Sequence, residues 1–195
     1  MLRIIAGLFK NRVLKVPKKS ETRPTSGRLR ETVFNILQQE IEGAHFLDLF
    51  AGSGAIGLEA LSRGALSATF VDSSRECITC IEENIALLGV KEKSRLFCLD
   101  AFQAIKRFSE KKEQFDLIFV DPPYETFSLV EGEKVSLGIR ILLEIDRLSL
   151  LKPNGTLFIE ESKRAMENRA LQTLTLKKAR DSGKTTLWQF VVKEA

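Results

Sequence analysis

The chain has 195 residues, 44% of them apolar, and no run of 18 or more apolar residues. That composition supports one soluble domain with a sizeable core and a small appendage, and it argues against a membrane-spanning or disordered chain. A net charge of +4, a single histidine and three cysteines (Cys77, Cys80, Cys98) suit a reducing compartment better than a disulfide framework. The opening Met1–Gly7 is too short and too soon broken for a secretory segment, so a cytoplasmic protein is expected.

The charge is concentrated at the start. Residues 1–30 hold nine Lys and Arg (Arg3, Lys10, Arg12, Lys15, Lys18, Lys19, Arg23, Arg28, Arg30) against one acid, Glu21, which leaves −4 for residues 31–195. Leu2, Ile4 and Val13–Val16 alternate around Gly7–Asn11 as a β-hairpin does, and Pro17 and Pro24 bracket a polar loop. Residues 1–26 therefore read as a basic extension and residues 27–195 as the main domain. A structured basic hairpin on a neutral-to-acidic body suits a polyanion, with nucleic acid the first choice. Arg3, Lys10, Arg12, Lys15, Lys18, Lys19, Arg23 and Arg28 are the candidate phosphate contacts. The plainer alternative is a solvated tail.

Thr25 and Ser26 offer an N-cap for a helix over Gly27–Ile41. A strand over 45–49 leads to a helix over 54–63. A second strand over 67–72 is followed by a helix from the cap Ser74 to Leu88, stopped by Gly89. Ser94–Leu99 reads as a strand, Phe102–Phe108 as a short helix and Phe115–Val120 as a strand. A helix around Ser136–Leu150 reaches a sharp turn at Lys152–Gly155. Extended runs follow at Thr156–Glu160, Leu171–Leu176 and Thr185–Val192. Strands alternating with helices give an α/β, doubly wound, mostly parallel sheet.

Such sheets bind ligands outside the carboxyl ends of their strands. Gly52, Gly54 and Gly57 spell G-x-G-x-x-G directly after the first strand, a turn that brings backbone close to a ligand and aims helix N–H groups at it. Asp72, at the end of the second strand, is placed to accept hydrogen bonds from ribose hydroxyls. A nucleoside cofactor is the reading, against a purely structural turn. Asp48, Asp72, Asp100 and Asp121 close four consecutive strands and line one rim.

Asp121-Pro122-Pro123-Tyr124 is the sharpest motif. Two prolines after a buried strand prevent further ladder pairing and stiffen the loop. Its unpaired carbonyls, its carboxylate and its aromatic face suit a planar exocyclic amine. Asp121 and the Pro122 carbonyl would accept the two N–H groups while Tyr124 stacks on the ring, a contact worth about 1–3 kcal/mol. His45 opens the first strand, at the edge away from the rim, and reads as a surface residue. Cys77-x-x-Cys80 has helical spacing and no second cysteine pair, so packing is expected and no metal.

Phe46–Gly57 with Asp72, Asp100-Ala101 and Asp121–Tyr124 resembles class I methyltransferases that use S-adenosyl-L-methionine to modify exocyclic amines. Arg3–Gly7, Arg23-Pro24-Thr25 and Arg28–Asn35 narrow this: the chain resembles the RsmD family of 16S ribosomal RNA guanine-N2 methyltransferases over nearly its whole length, including the late Gly183–Leu187. The resemblance implies a Rossmann-like fold, with a seven-stranded mostly parallel sheet, helices on both faces, an antiparallel last strand and the N-terminal hairpin as an addition. It implies cofactor contacts from Asp48, Phe50, Gly52, Ser53, Gly54, Asp72, Ser73, Asp100 and Ala101, and a guanine held by Asp121, Pro122, Pro123 and Tyr124. Family members often carry Glu where this chain has Asp72, one methylene shorter. The implied partner is 16S ribosomal RNA, within the small subunit or an assembly intermediate. Three other readings stay open on the residues alone: adenine-N6 methylation of DNA or RNA, a non-enzymatic RNA-binding assembly factor, and a nicotinamide-dependent oxidoreductase.

Overall fold

The computed structural model describes residues 1–18, 27–123, 127–130, 133–162, 170–183 and 185–193. The chain divides into two compact units, Met1–Ala101 and Phe102–Ala195. Among the described residues, seven of the nine strands form one mostly parallel sheet in the order β3-β2-β1-β4-β7-β9-β8, the seven-stranded sheet that the resemblance implies.

The first unit holds α1 (Gly27–Ile36), β1 (His45–Leu49), α2 (Ala55–Ser62), β2 (Ser67–Asp72), α3 (Arg75–Leu88) and β3 (Ser94–Cys98). β1 and β2 are parallel with Asp48 opposite Phe70, and β2 and β3 are parallel with Asp72 opposite Cys98. β1 and β2 are buried on both faces between their ends, which is why they read as mostly apolar and not as alternation, with Asp48 and Thr69 buried among the apolar residues. α3 begins where expected because the Ser74 side chain accepts from the Cys77 amide, and it ends at a left-handed Gly89.

α1 is shorter than its pattern. The apolar period continues through Leu37 and Ile41, both buried, but the backbone leaves the helix after Ile36 and carries the same face inward through turns. The predicted cap at Thr25 and Ser26 lies outside the described residues. The basic hairpin is present as a narrow ladder. Arg3 bridges Val13, Ile4 exchanges bonds with Arg12 and Asn11 at 3.0 and 2.9 Å, and the Leu14 amide donates to Leu2 at 2.9 Å. Its turn presses on α2 so closely that a Cβ on Gly7 (φ +81°) would stand 1.9 Å from the Ser62 carbonyl oxygen, a site for glycine alone.

The second unit holds α4 (Ala101–Glu110), β4 (Phe115–Val120), β5 (Phe127–Val130), β6 (Glu133–Ser136), α5 (Leu137–Arg147), β7 (Leu151–Ser162), β8 (Leu174–Ser182) and β9 (Thr185–Val192). β4 and β7 are parallel, while β9 runs antiparallel to both β7 and β8. The sharp turn expected at Lys152–Gly155 lies inside β7 as an irregularity. Asn154 takes φ +65° and the register slips between Phe115 and Leu117. β8 starts three residues later and runs six further than predicted, its charged Lys177, Lys178 and Arg180 having hidden the strand. The antiparallel pair β5–β6 was not predicted at all. No helix among the described residues is long and apolar enough to cross a membrane.

Candidate active site

In the first unit the sites converge on the carboxyl ends of β1, β2 and β3. β1 stops at Leu49, and the chain reverses through Phe50, a non-glycine residue held at φ +63°. Asp48 is 2% exposed and its Oδ2 accepts from the Gly57 amide at 3.0 Å, placing a carboxylate under the first turn of α2. Gly57 cannot be replaced freely there, because a Cβ would meet the buried Phe70 ring at 2.3 Å. Asp72 closes the turn from the other side: its Oδ2 accepts from the Gly52 amide at 2.8 Å and its Oδ1 from the Ser74 amide at 2.9 Å. Each oxygen of the Asp72 carboxylate keeps a further lone pair for a hydroxyl donor.

Beside Asp72 lies a small cleft lined by Phe50, Val71, Asp72, Ser73, Leu99, Asp100 and Ala101. It brings together five of the residues expected at the cofactor and adds Val71 and Leu99, whose apolar side chains sequence reasoning passed over. Asp48, Gly52, Ser53 and Gly54 do not line it. They lie beneath or within the turn, with Ser53 nearly buried. Its lining combines the apolar side chains of Phe50, Val71, Leu99 and Ala101 with the carboxylates of Asp72 and Asp100.

In the second unit, β4 delivers Asp121 at partial exposure, Pro122 buried and Pro123 exposed; Tyr124 lies outside the described residues. The parallel pairing of β4 with β7 ends at Val120 opposite Ile159, so Glu160 is the next residue on the neighbouring strand. Glu160 is buried and accepts from the Thr185 hydroxyl at 2.7 Å, and Glu161 beside it is buried too. Both were missed. The pattern of strand-end acids could have found Glu160, since the predicted fifth strand ended on it.

Among the candidate RNA contacts, Arg3, Lys10, Arg12, Lys15, Lys18 and Arg28 are exposed, and Lys19 and Arg23 lie outside the described residues. Arg3 donates to the Asn11 carbonyl and Lys15 pairs with Glu83 at 3.0 Å. What holds this hairpin was invisible in the sequence. Glu59 of α2 is fully buried and accepts from the amides of Ile5 (2.7 Å) and Ala6 (2.9 Å) while pairing with Arg63 at 2.8 Å and Arg30 at 3.7 Å. Ser62 donates to the Ala6 carbonyl at 2.6 Å and accepts from the Phe9 amide at 3.0 Å. His45 bonds Ser67 across the strand starts at 2.8 Å. Cys77 and Cys80 are buried on α3; burial pushes both thiols up, Cys80 to about 11, so neither is a ready thiolate.

The family model described as Conserved hypothetical protein 95 matches residues 2–191. A Haemophilus influenzae protein named Ribosomal RNA small subunit methyltransferase D is 35% identical over 163 residues, covering 83% of this chain and 79% of that one. The chain belongs to the RsmD family. An Escherichia coli protein of the same name is 40% identical over 136 residues, 67% of each chain. Among solved structures, the yhhF protein of Escherichia coli superposes with a TM-score of 0.79 at 30% identity, covering 99% of this chain and 98% of that one. A Thermus thermophilus protein, TTHA0928, gives the same TM-score at 27% identity, over 99% and 100%. The structure of SMU.776 complexed with SAH, at 20% identity and a TM-score of 0.64, shares the fold.

Proposed function

We propose that this RsmD-family protein transfers the methyl group of S-adenosyl-L-methionine to the exocyclic N2 amine of a guanine in 16S ribosomal RNA, presented within the small subunit or an assembly intermediate. The observation that carries the cofactor half is the glycine turn closed by Asp72, beside a small cleft whose lining mixes apolar side chains with the carboxylates of Asp72 and Asp100. RNA as substrate is supported by the exposed basic hairpin and by the names of the relatives.

In this reading Asp72 takes the ribose hydroxyls, Val71, Leu99 and Ala101 face the adenine with Asp100 at its edge, and Gly52 leaves open space above its Cα. Asp48 acts from below by fixing Gly57 and the helix start. S-adenosyl-L-methionine supplies a methyl group already activated on a positively charged sulfur, so the protein's task is positioning and electrostatics. Asp121 and the Pro122 carbonyl accept the two amine hydrogens and keep the nitrogen lone pair free on the remaining side. The amine gives up one proton as it is methylated, and Asp121 is the acceptor within the motif. Buried Pro122 and the stiffness of Pro-Pro hold that carboxylate against the end of β4.

The test is methyl transfer from labelled cofactor to 16S ribosomal RNA, assembled small subunits and DNA, followed by nucleoside analysis. N2-methylguanosine in ribosomal RNA is the expected product. N6-methyladenine would move the protein to the other amine class, and RNA binding without transfer would make it an assembly factor.

A further inference from the structure

Asn84 lies on α3, on the face turned toward both the hairpin and the glycine turn, and is 0% exposed. Its Oδ1 accepts from the Lys15 amide at 2.8 Å and its Nδ2 donates to the Lys15 carbonyl at 3.0 Å, so the side chain pairs with that residue's backbone at two points. Nδ2 also donates to the Ser53 carbonyl at 3.0 Å. Lys15 is on the outgoing arm of the basic hairpin; Ser53 stands between Gly52 and Gly54 in the turn that Asp72 closes. One buried side chain therefore holds the backbone of the basic hairpin and the backbone of the glycine turn.

We propose that Asn84 is a positioning residue that couples RNA seated on the hairpin to cofactor held at the glycine turn, each ligand tightening the other; this rests on the reading of both sites given above. The physical route is short. The Lys15 ammonium pairs with Glu83 at 3.0 Å, and both side chains are half exposed (59% and 49%), so a phosphate can take Glu83's place at little cost. Drawing Lys15 toward RNA moves the peptide that Asn84 clasps. A buried amide hydrogen without an acceptor is costly, so Asn84 follows Lys15 only by adjusting Ser53 with it. α2 supports the same link, since its first turn is fixed by Asp48 through Gly57 and its far half carries the hairpin through Glu59 and Ser62. Because coupling is reciprocal, ordering the turn around cofactor must also set the hairpin for RNA.

The experiment measures S-adenosylhomocysteine affinity by calorimetry, with and without saturating 16S ribosomal RNA, for the unaltered protein and for Asn84→Asp. The variant keeps the shape and the acceptor for the Lys15 amide but places a carboxylate against the Lys15 and Ser53 carbonyls. RNA is expected to raise the affinity of the unaltered protein by about fivefold or more. In Asn84→Asp that ratio is expected to fall to one. A ratio of one in the unaltered protein, or the same ratio in both proteins, overturns the proposal. Failure of the unaltered protein to bind either ligand overturns instead the reading on which it rests. Hydrogen exchange on the unaltered protein needs no variant to fold: saturating RNA is expected to slow exchange at Lys15 and at Ser53–Gly54. Protection at Lys15 with no change at Ser53–Gly54 also overturns the coupling.

Discussion

Replacing Glu59 by Gln tests what holds the basic hairpin to the body. The carboxylate is fully buried, accepts from three donors (the amides of Ile5 and Ala6, and Arg63 at 2.8 Å) and is the counter-charge of Arg30 at 3.7 Å. Gln keeps the shape, but half of its head group becomes a donor. At least one donor is then opposed by an N–H group, and Arg30, itself 4% exposed, is deprived of its counter-charge. Burial already pulls the Arg30 guanidinium below its ordinary pKa against the attraction of Glu59. Breaking a buried pair by neutralising one partner costs about 3–5 kcal/mol. Arg63 is 17% exposed and can turn to water, so the lower end, about 3 kcal/mol, is expected, a large part of a typical total of about 5–15 kcal/mol. Urea denaturation of Glu59→Gln measures it, and faster exchange of the Ile5 and Ala6 amides locates it. A destabilisation below about 1 kcal/mol, with those amides still protected, would refute the anchoring role.

Gly57→Ala gains about 1 kcal/mol of helix propensity, but its methyl meets Phe70 at 2.3 Å. Overpacking at about 1–3 kcal/mol should win, and a variant as stable as the parent in urea would show that the ring gives way freely. Burial raises the Asp146 pKa, but hydrogen bonds from the amides of Gln172, Thr173 and Leu174 outweigh it, so the net shift is downward. A depressed carboxylate stabilises above its unfolded pKa of about 3.9 and stops doing so as pH falls through its folded value. The stability deficit of Asp146→Asn should thus be full at neutral pH and shrink below about pH 4, whereas a constant deficit down to about pH 3 would contradict the shift. Asp121→Ala should lower kcat far more than it weakens S-adenosylhomocysteine binding, and full turnover would remove Asp121 from the chemistry. Lys10→Glu with Arg12→Glu should flatten the salt dependence of RNA binding, by about 0.9 in slope for each duplex phosphate that is no longer neutralised; an unchanged slope would make these residues bystanders.

What the sequence disclosed was local. α3 was legible because Ser74 and Gly89 mark its ends, and β4 because Leu117–Val120 is one apolar run. The glycine turn and its distant partner Asp72 were legible because strand ends in such sheets meet at one edge. Glu59, Asn84 and Asp146 were not, since their partners lie about 53, 69 and 26 residues away in the chain and buried polar residues look like surface ones in a pattern. β8 was misplaced for the opposite reason: past the buried Leu174, Thr175–Ala179 is exposed throughout, so this stretch shows no apolar alternation to betray it. The apolar run of α1 outlasts its helix because burial of Leu37 and Ile41 constrains side chains and not the backbone class.

The length of α3 acts as a gauge. Its start stands next to Asp72 through Ser74, and its end, at Gly89 and Val90, lines a groove with Leu8 and Phe9 at the tip of the hairpin. Fourteen helical residues measure about 21 Å, so the hairpin tip and the cofactor edge stand that far apart. On the proposed reading, an RNA that touches both must span that distance, several nucleotides of strand. On the same reading, a dinucleotide or a short loop fills the cofactor edge without touching the tip, and substrate length itself becomes a specificity filter.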